Sequence, residues 1–171
     1  MDPARRAVLL RQLGLTWSLA ELLLDGLSDE ECLWEPVPGC WTVRPNAEGV
    51  WIADWEEPEP DPAPACTIGW ITWHIGWWWS MVYDHSFGAG TVQRENTPWP
   101  GTARGAVEWI TSCHDAWSSA VDGCTEADLD STERTRWPYP EPRPFAYVVA
   151  WANAELMKNV AEIGVLRRIH S

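Results

Sequence analysis

The chain has 171 residues, of which 25 are acidic and 12 are basic, and its formal net charge is −13 at pH 7. This length predicts a single domain over residues 1–171 with its own buried core. The acidic balance argues against a nucleic-acid partner, because phosphate binding needs clustered Lys and Arg. The sequence has no run of 18 apolar residues, so we expect no membrane-spanning helix. Five widely spaced Cys without a CxxC pair predict reduced thiols and a cytoplasmic protein.

Four segments in which apolar residues recur every three or four positions predict an all-α fold, a four-helix bundle. The predicted helices are Pro3–Leu27, Thr67–Phe87, Thr102–Val121 and Phe145–His170. We expect Val8 to face the core from the first helix, and Ile169 from the last. The 15 Trp greatly outnumber the 2 Phe, so we expect most of them to fill the core, with the group in the second helix bordering a pocket.

Long irregular connections are expected after the first and third helices. Seven prolines between residues 28 and 64, and four between 125 and 144, exclude long helices there. Within the first connection, residues 49–55 can form a short extended piece, and an insertion rich in Pro and acidic residues covers about 39–65. Its acidic tract, Asp54 to Asp61, is interpreted as a solvated loop. A calcium site or a site for a basic partner is the alternative.

His74 differs from the other three histidines, which we expect near helix ends or at the surface. It lies in the second predicted helix, with Trp70 and Trp77 about one turn away on either side. The simplest interpretation is a buried histidine with a satisfied hydrogen bond. A ligand position in a pocket is the other.

The last predicted helix carries a polar stripe on an otherwise apolar segment. Glu155, Lys158, Asn159 and Glu162 are spaced i, i+3, i+4 and i+7, which places them on one side of a helix. The stripe is either a solvent face with Glu–Lys pairs or a buried set whose charges must be paired or bound to a metal. Lys158 is the only lysine in the chain.

The residues from Ile71 to Trp79 and from Asn153 to Arg168 resemble the second and last helices of the DinB/YfiT-like superfamily. The resemblance implies a DinB-like four-helix bundle and one divalent metal, Zn or Ni, held by three histidines. His74 matches the ligand of the second helix, whereas Lys158 and Glu162 stand at the two positions of the last helix. A protonated lysine cannot bind a metal, so we expect a degenerate site in which His74 and Glu162 are the remaining metal ligands.

The resemblance also implies two functions of different classes. Relatives include metal-dependent transferases and isomerases that use low-molecular-weight thiols, which predicts a pocket for a small molecule or a thiol. The alternative is a non-catalytic module that binds a small ligand or dimerises, with a structural ion-pair network in place of the metal. Family members often form homodimers, so a homodimer is expected. The predicted pocket residues are His74, Trp73, Trp77, Trp78, Glu155, Lys158 and Asn159.

Overall fold

The computed structural model describes residues 4–170, so the predicted start of the first helix at Pro3 lies outside the described residues. Six α-helices and one two-stranded sheet form this part of the chain. The helices are α1 (Arg5–Leu24), α2 (Asp29–Leu33), α3 (Ile68–Phe87), α4 (Ala103–Asp122), α5 (Glu126–Asp130) and α6 (Phe145–His170). The strands are β1 (Val43–Pro45) and β2 (Trp51–Ala53), which pair antiparallel.

The four long helices form a closed ring in which α1 packs on α4 and α6, and α3 packs on the same two helices. This confirms the predicted all-α bundle. Thr67 and Thr102 cap α3 and α4, because each side chain accepts a hydrogen bond from a backbone N–H three residues later. Helix α1 ends earlier than predicted, at Leu24, since the chain is extended at Asp25 and Gly26 takes a positive φ of 65°.

The connections contain more order than their prolines indicate. The extended piece predicted over residues 49–55 contains β2, which pairs with β1 to form a hairpin. The backbone of Trp41 then bonds Ala65 and Thr67, which holds the insertion against α3. Glu56, Glu57, Glu59 and Asp61 are exposed, as expected for a solvated acidic loop, whereas Asp54 pairs with Arg44.

Indole rings are the largest side chains of the core, which also contains many Ile, Val, Leu and Ala residues. Eight of the 15 Trp are buried and the other seven are half-buried, which confirms that Trp takes the place of Phe in this interior. Two predicted core positions are wrong, because Val8 is 52% exposed and Ile169 is 57% exposed. Both lie on helix faces that point away from the ring.

Helix α1 is apolar on its outer side as well as on its core side. The outer stripe of α1 consists of exposed side chains at Val8, Leu15, Leu19 and Leu22. By length and composition alone, α1 could cross a membrane. In the bundle its other side supplies Leu13, Trp17 and Ala20 to the core.

Candidate functional site

A cavity of about 910 Å³ opens between α3 and α6. The insertion after β2 and the loop before α6 close its sides. Its wall is predominantly indole, and seven tryptophans line it: Trp41, Trp55, Trp70, Trp77, Trp78, Trp137 and Trp151. This volume lies in the range of small-molecule pockets, which are commonly apolar with a few polar groups.

His74 lies in this aromatic wall. Its ring stacks on Trp70 at a centroid distance of 4.9 Å and an interplanar angle of 12°, and it is tilted against Trp77 at 5.6 Å. Burial is the main cause that lowers the pKa of His74 to about 3, and the positive charge of Lys158 acts in the same direction. The imidazole is therefore neutral near pH 7. A side-chain hydrogen bond with Asn159 acts against this lowering of the pKa, and the buried Nδ1 atom has no hydrogen-bond partner within residues 4–170.

Asn159 connects α6 to α3 across the floor of the cavity. The indole Nε1 of Trp78 donates to Asn159 Oδ1 at 3.2 Å, and Asn159 Nδ2 donates to Glu162 Oε2 at 3.0 Å. These two bonds fix the orientation of the amide, because its oxygen and its nitrogen each have a committed partner. Asn159 is only 1% exposed, so it is a buried polar side chain with its hydrogen bonds made.

Lys158 and Glu155 form an ion pair at the rim. Lys158 Nζ lies 2.6 Å from Glu155 Oε2, and the lysine side chain is 51% exposed. This is the Glu–Lys pairing that a solvent-facing stripe predicts. Within the polar stripe of α6, Asn159 is thus buried, whereas Lys158 and Glu162 are exposed.

Six of the seven predicted pocket residues border the cavity, as does Glu162; their functional role stays a prediction. Trp73 does not border it. The Trp73 side chain is 3% exposed, its Nε1 donates to the carbonyl of Thr97, and its ring stacks behind Trp77. Trp73 therefore packs behind the wall and supports Trp77, because adjacent positions of a helix such as 73 and 74 point in different directions.

Several residues of the wall were not predicted from the sequence. They lie in the irregular connections or just before the helix segments that resemble the superfamily. Trp41 and Trp55 come from the insertion, Trp137 from the loop before α6, and Trp151 from the first half of α6. The available signal was the placement of tryptophans inside Pro-rich connections. Large apolar side chains in a segment that cannot form a long helix are removed from water by packing against other parts of the protein.

The donor atoms present do not fit the metal site of the resemblance. Within residues 4–170, no group of three or more His, Cys, Asp or Glu side chains is arranged to hold a metal ion. His74 and Glu162 are two donors, whereas zinc sites in proteins use three or four. An ammonium has no lone pair to give, and Lys158 is occupied with Glu155.

The cysteine of the cavity wall is not an activated nucleophile. Burial, reinforced by the negative charge of Glu162, raises the pKa of the Cys66 thiol to about 12. Reactive cysteines have lowered pKa values, because the thiolate is the attacking species. Cys66 is therefore protonated near neutral pH and acts as a small apolar part of the wall.

The other histidines lie away from the cavity. His114 was expected at the surface, but its side chain is only 14% exposed and its ring stacks on Trp17 at 4.1 Å. His170 packs edge-on against Trp34 near the end of α6. Neither side chain lines the space between α3 and α6.

A family model described as the DinB superfamily matches residues 12–163. No curated protein matches the chain. No solved structure matches it either. The match covers most of the chain and includes parts or all of the four long helices, in the ring arrangement described above. The protein therefore belongs to the DinB superfamily.

Proposed function

We propose that this protein binds a small organic molecule in the cavity between α3 and α6, and that it does so without a divalent metal. The observation that carries the proposal is the wall of seven tryptophans around about 910 Å³. Each indole offers a large rigid apolar surface, so a ligand gains contact area with little ordering of the protein.

The polar side of the cavity supports a specific orientation of such a ligand. His74 offers a neutral imidazole, which can donate from one nitrogen and accept at the other. Two buried nitrogens on wall residues, His74 Nδ1 and Trp77 Nε1, lack a hydrogen-bond partner within the described residues. Buried polar atoms without partners are uncommon in folded proteins, and a ligand or ordered water is an ordinary way to complete them.

A thiol-dependent reaction on a metal is the weaker candidate for this site. Such chemistry needs a group that lowers the thiol pKa. The cavity instead offers two metal donors, a protonated Cys66 and a net acidic rim. Its features favour binding over catalysis by this route.

The test is ligand-observed saturation-transfer NMR with indole as the probe. We expect saturation transfer to indole with the native protein and its loss in the Trp77→Ala variant. Trp109→Leu is the matched control, because Trp109 is also half-buried and on a long helix but does not line the cavity. Equal signals from the native protein and from Trp77→Ala would contradict the proposal.

A separate measurement tests the metal-free part of the proposal. Protein purified in buffers without chelators is expected to contain far less than one metal ion per chain by inductively coupled plasma mass spectrometry. A content of about one Zn or Ni per chain, lost in the variant Glu162→Gln, would contradict the metal-free part of the proposal.

A further inference from the structure

We infer that the cavity selects a positively charged ligand, specifically an alkylated ammonium group, by enclosing it in an aromatic box edged with carboxylates. This inference rests on the proposed function, since it names the class of molecule that the same cavity takes. Two independent observations carry it. One is the continuous wall of half-buried indoles that borders the cavity, and the other is the charge of the residues at the rim.

The indoles that border the open space meet at steep angles. Trp55 and Trp77 cross at 69° with centroids 5.3 Å apart, and Trp77 and Trp137 cross at 66°. Trp137 and Trp151 cross at 90°, with centroids 5.0 Å apart. All four rings are half-buried and line the cavity. We call this group the indole box.

The rings of the indole box are in edge-to-face contact with one another. A ligand therefore lies in the space of about 910 Å³ that these rings border, and not between two of them. The face of an indole ring carries negative electrostatic potential and attracts cations, most strongly for Trp. Aromatic cages of this kind recognise quaternary ammonium groups.

The charges at the rim act in the same direction. Three carboxylates border the cavity, those of Glu59, Glu155 and Glu162, against the one ammonium of Lys158. Lys158 is paired with Glu155. Neither Glu59 nor Glu162 has an ion-pair partner in the part of the chain that the structure describes. An anionic ligand would meet this uncompensated negative charge, and a cation would neutralise it.

One cation of the protein already lies over an indole ring, outside the cavity. The guanidinium carbon of Arg94 lies 4.7 Å from the centre of the Trp55 ring. The same guanidinium also contacts the carboxylate of Glu57 at 3.4 Å. A cation between an indole face and a carboxylate is therefore compatible with the local geometry at Trp55.

The test uses three probes of nearly the same shape and different charge. Choline is the cation, 3,3-dimethyl-1-butanol is its neutral isostere, and 3,3-dimethylbutanoate is the anion. We expect choline to bind at least about tenfold more tightly than the neutral isostere, and the anion to bind most weakly. Dissociation constants come from NMR titration at low ionic strength, with isotope-labelled indole N–H groups as reporters.

Two charge variants at the rim give effects of opposite sign. Glu162→Gln keeps an oxygen for Asn159 and removes one negative charge, so choline should bind about three- to tenfold more weakly. Lys158→Gln removes the positive charge, so choline should bind more tightly by a similar factor. Neither variant should change the affinity for 3,3-dimethyl-1-butanol, whereas damage to the pocket itself would weaken both probes together.

The outcomes separate the inference from the proposed function. Equal binding of choline and its neutral isostere, with both lost in Trp77→Ala, would overturn the inference and leave the proposed function intact. Tightest binding of the anion would overturn the inference in the same way. Failure of all three probes together with failure of indole would overturn both.

Discussion

Acidification is expected to destabilise the protein through His74. Burial, with a smaller effect of the charge on Lys158, lowers the pKa of His74 from 6.5 to about 3. Between these two values the unfolded chain binds a proton at this position and the folded protein does not, so stability must fall as the pH falls. The stability that the neutral imidazole provides is complete above pH 6.5 and is lost progressively down to pH 3. With about 1.4 kcal/mol per pKa unit, the unfolding free energy should drop by about 2 kcal/mol between pH 7 and pH 5.

The assay is urea denaturation followed by far-UV circular dichroism at pH 7, 6 and 5. His74→Gln is the control, because it is neutral at every pH, and it should remove most of the slope. Carboxylates such as Asp84, whose pKa is lowered first by the backbone N–H of Val92, lose their contribution mainly at lower pH. An identical pH slope in the native protein and in His74→Gln would refute the reasoning, because it would mean that folding does not shift the pKa of His74.

Three further changes have defined outcomes. Gly76→Ala would place a Cβ in steric conflict with the ring of Trp109, so we expect a loss of about 1–3 kcal/mol in urea denaturation from overpacking between α3 and α4. In Gly14→Ala the added Cβ would have no other atom within 4 Å, so this variant should instead stabilise α1 by about 0.5–1 kcal/mol. A loss of stability as large as that of Gly76→Ala would contradict the packing argument. The outer stripe of α1 exposes four large apolar side chains in a chain of net charge −13, so we propose that the expected homodimer forms there. Leu19→Glu should then give a monomer by multi-angle light scattering, and an unchanged mass would exclude this face.

The long helices were predictable because their signals are local. Apolar residues recur at helical spacing, Thr67 and Thr102 provide caps, and the predicted bounds of the last helix match α6. The short helices α2 and α5 also had a local signal that was missed. Ser28 with Glu31, and Thr125 with Asp128, form capping boxes. The β1–β2 hairpin also has a local signal, because Asn46 Oδ1 accepts from the backbone N–H groups of Glu48 and Val50, and Gly49 takes a positive φ of 79° in the turn.

The candidate site was predictable only where it is helical. The spacing of Asn159 and Glu162 predicted that they share one side of the last helix, and the resemblance to the superfamily implied that this side meets His74. All three residues border the cavity. The indole box was not predictable, because Trp55 and Trp137 come from irregular connections whose path depends on tertiary contacts. Helix periodicity says which way a side chain points, whereas a Pro-rich loop has no such rule.

The identity of residue 158 decides, in our interpretation, whether this cavity can hold a metal. Replacing Lys158 with His removes an ammonium and adds a third donor to those of His74 and Glu162, which is the minimum for a zinc site that keeps an open position. We expect Lys158→His to bind Zn²⁺ and to gain about 2.7 kcal/mol of stability at a free zinc concentration one hundredfold above Kd. For a chain of this size that gain raises Tm by about 5–10 °C. Lys158→Gln, which removes the charge without adding a donor, should show no zinc-dependent shift. If Lys158→His also shows none, residue 158 does not face His74 closely enough to share an ion, and the lysine cannot be the reason that the site is degenerate.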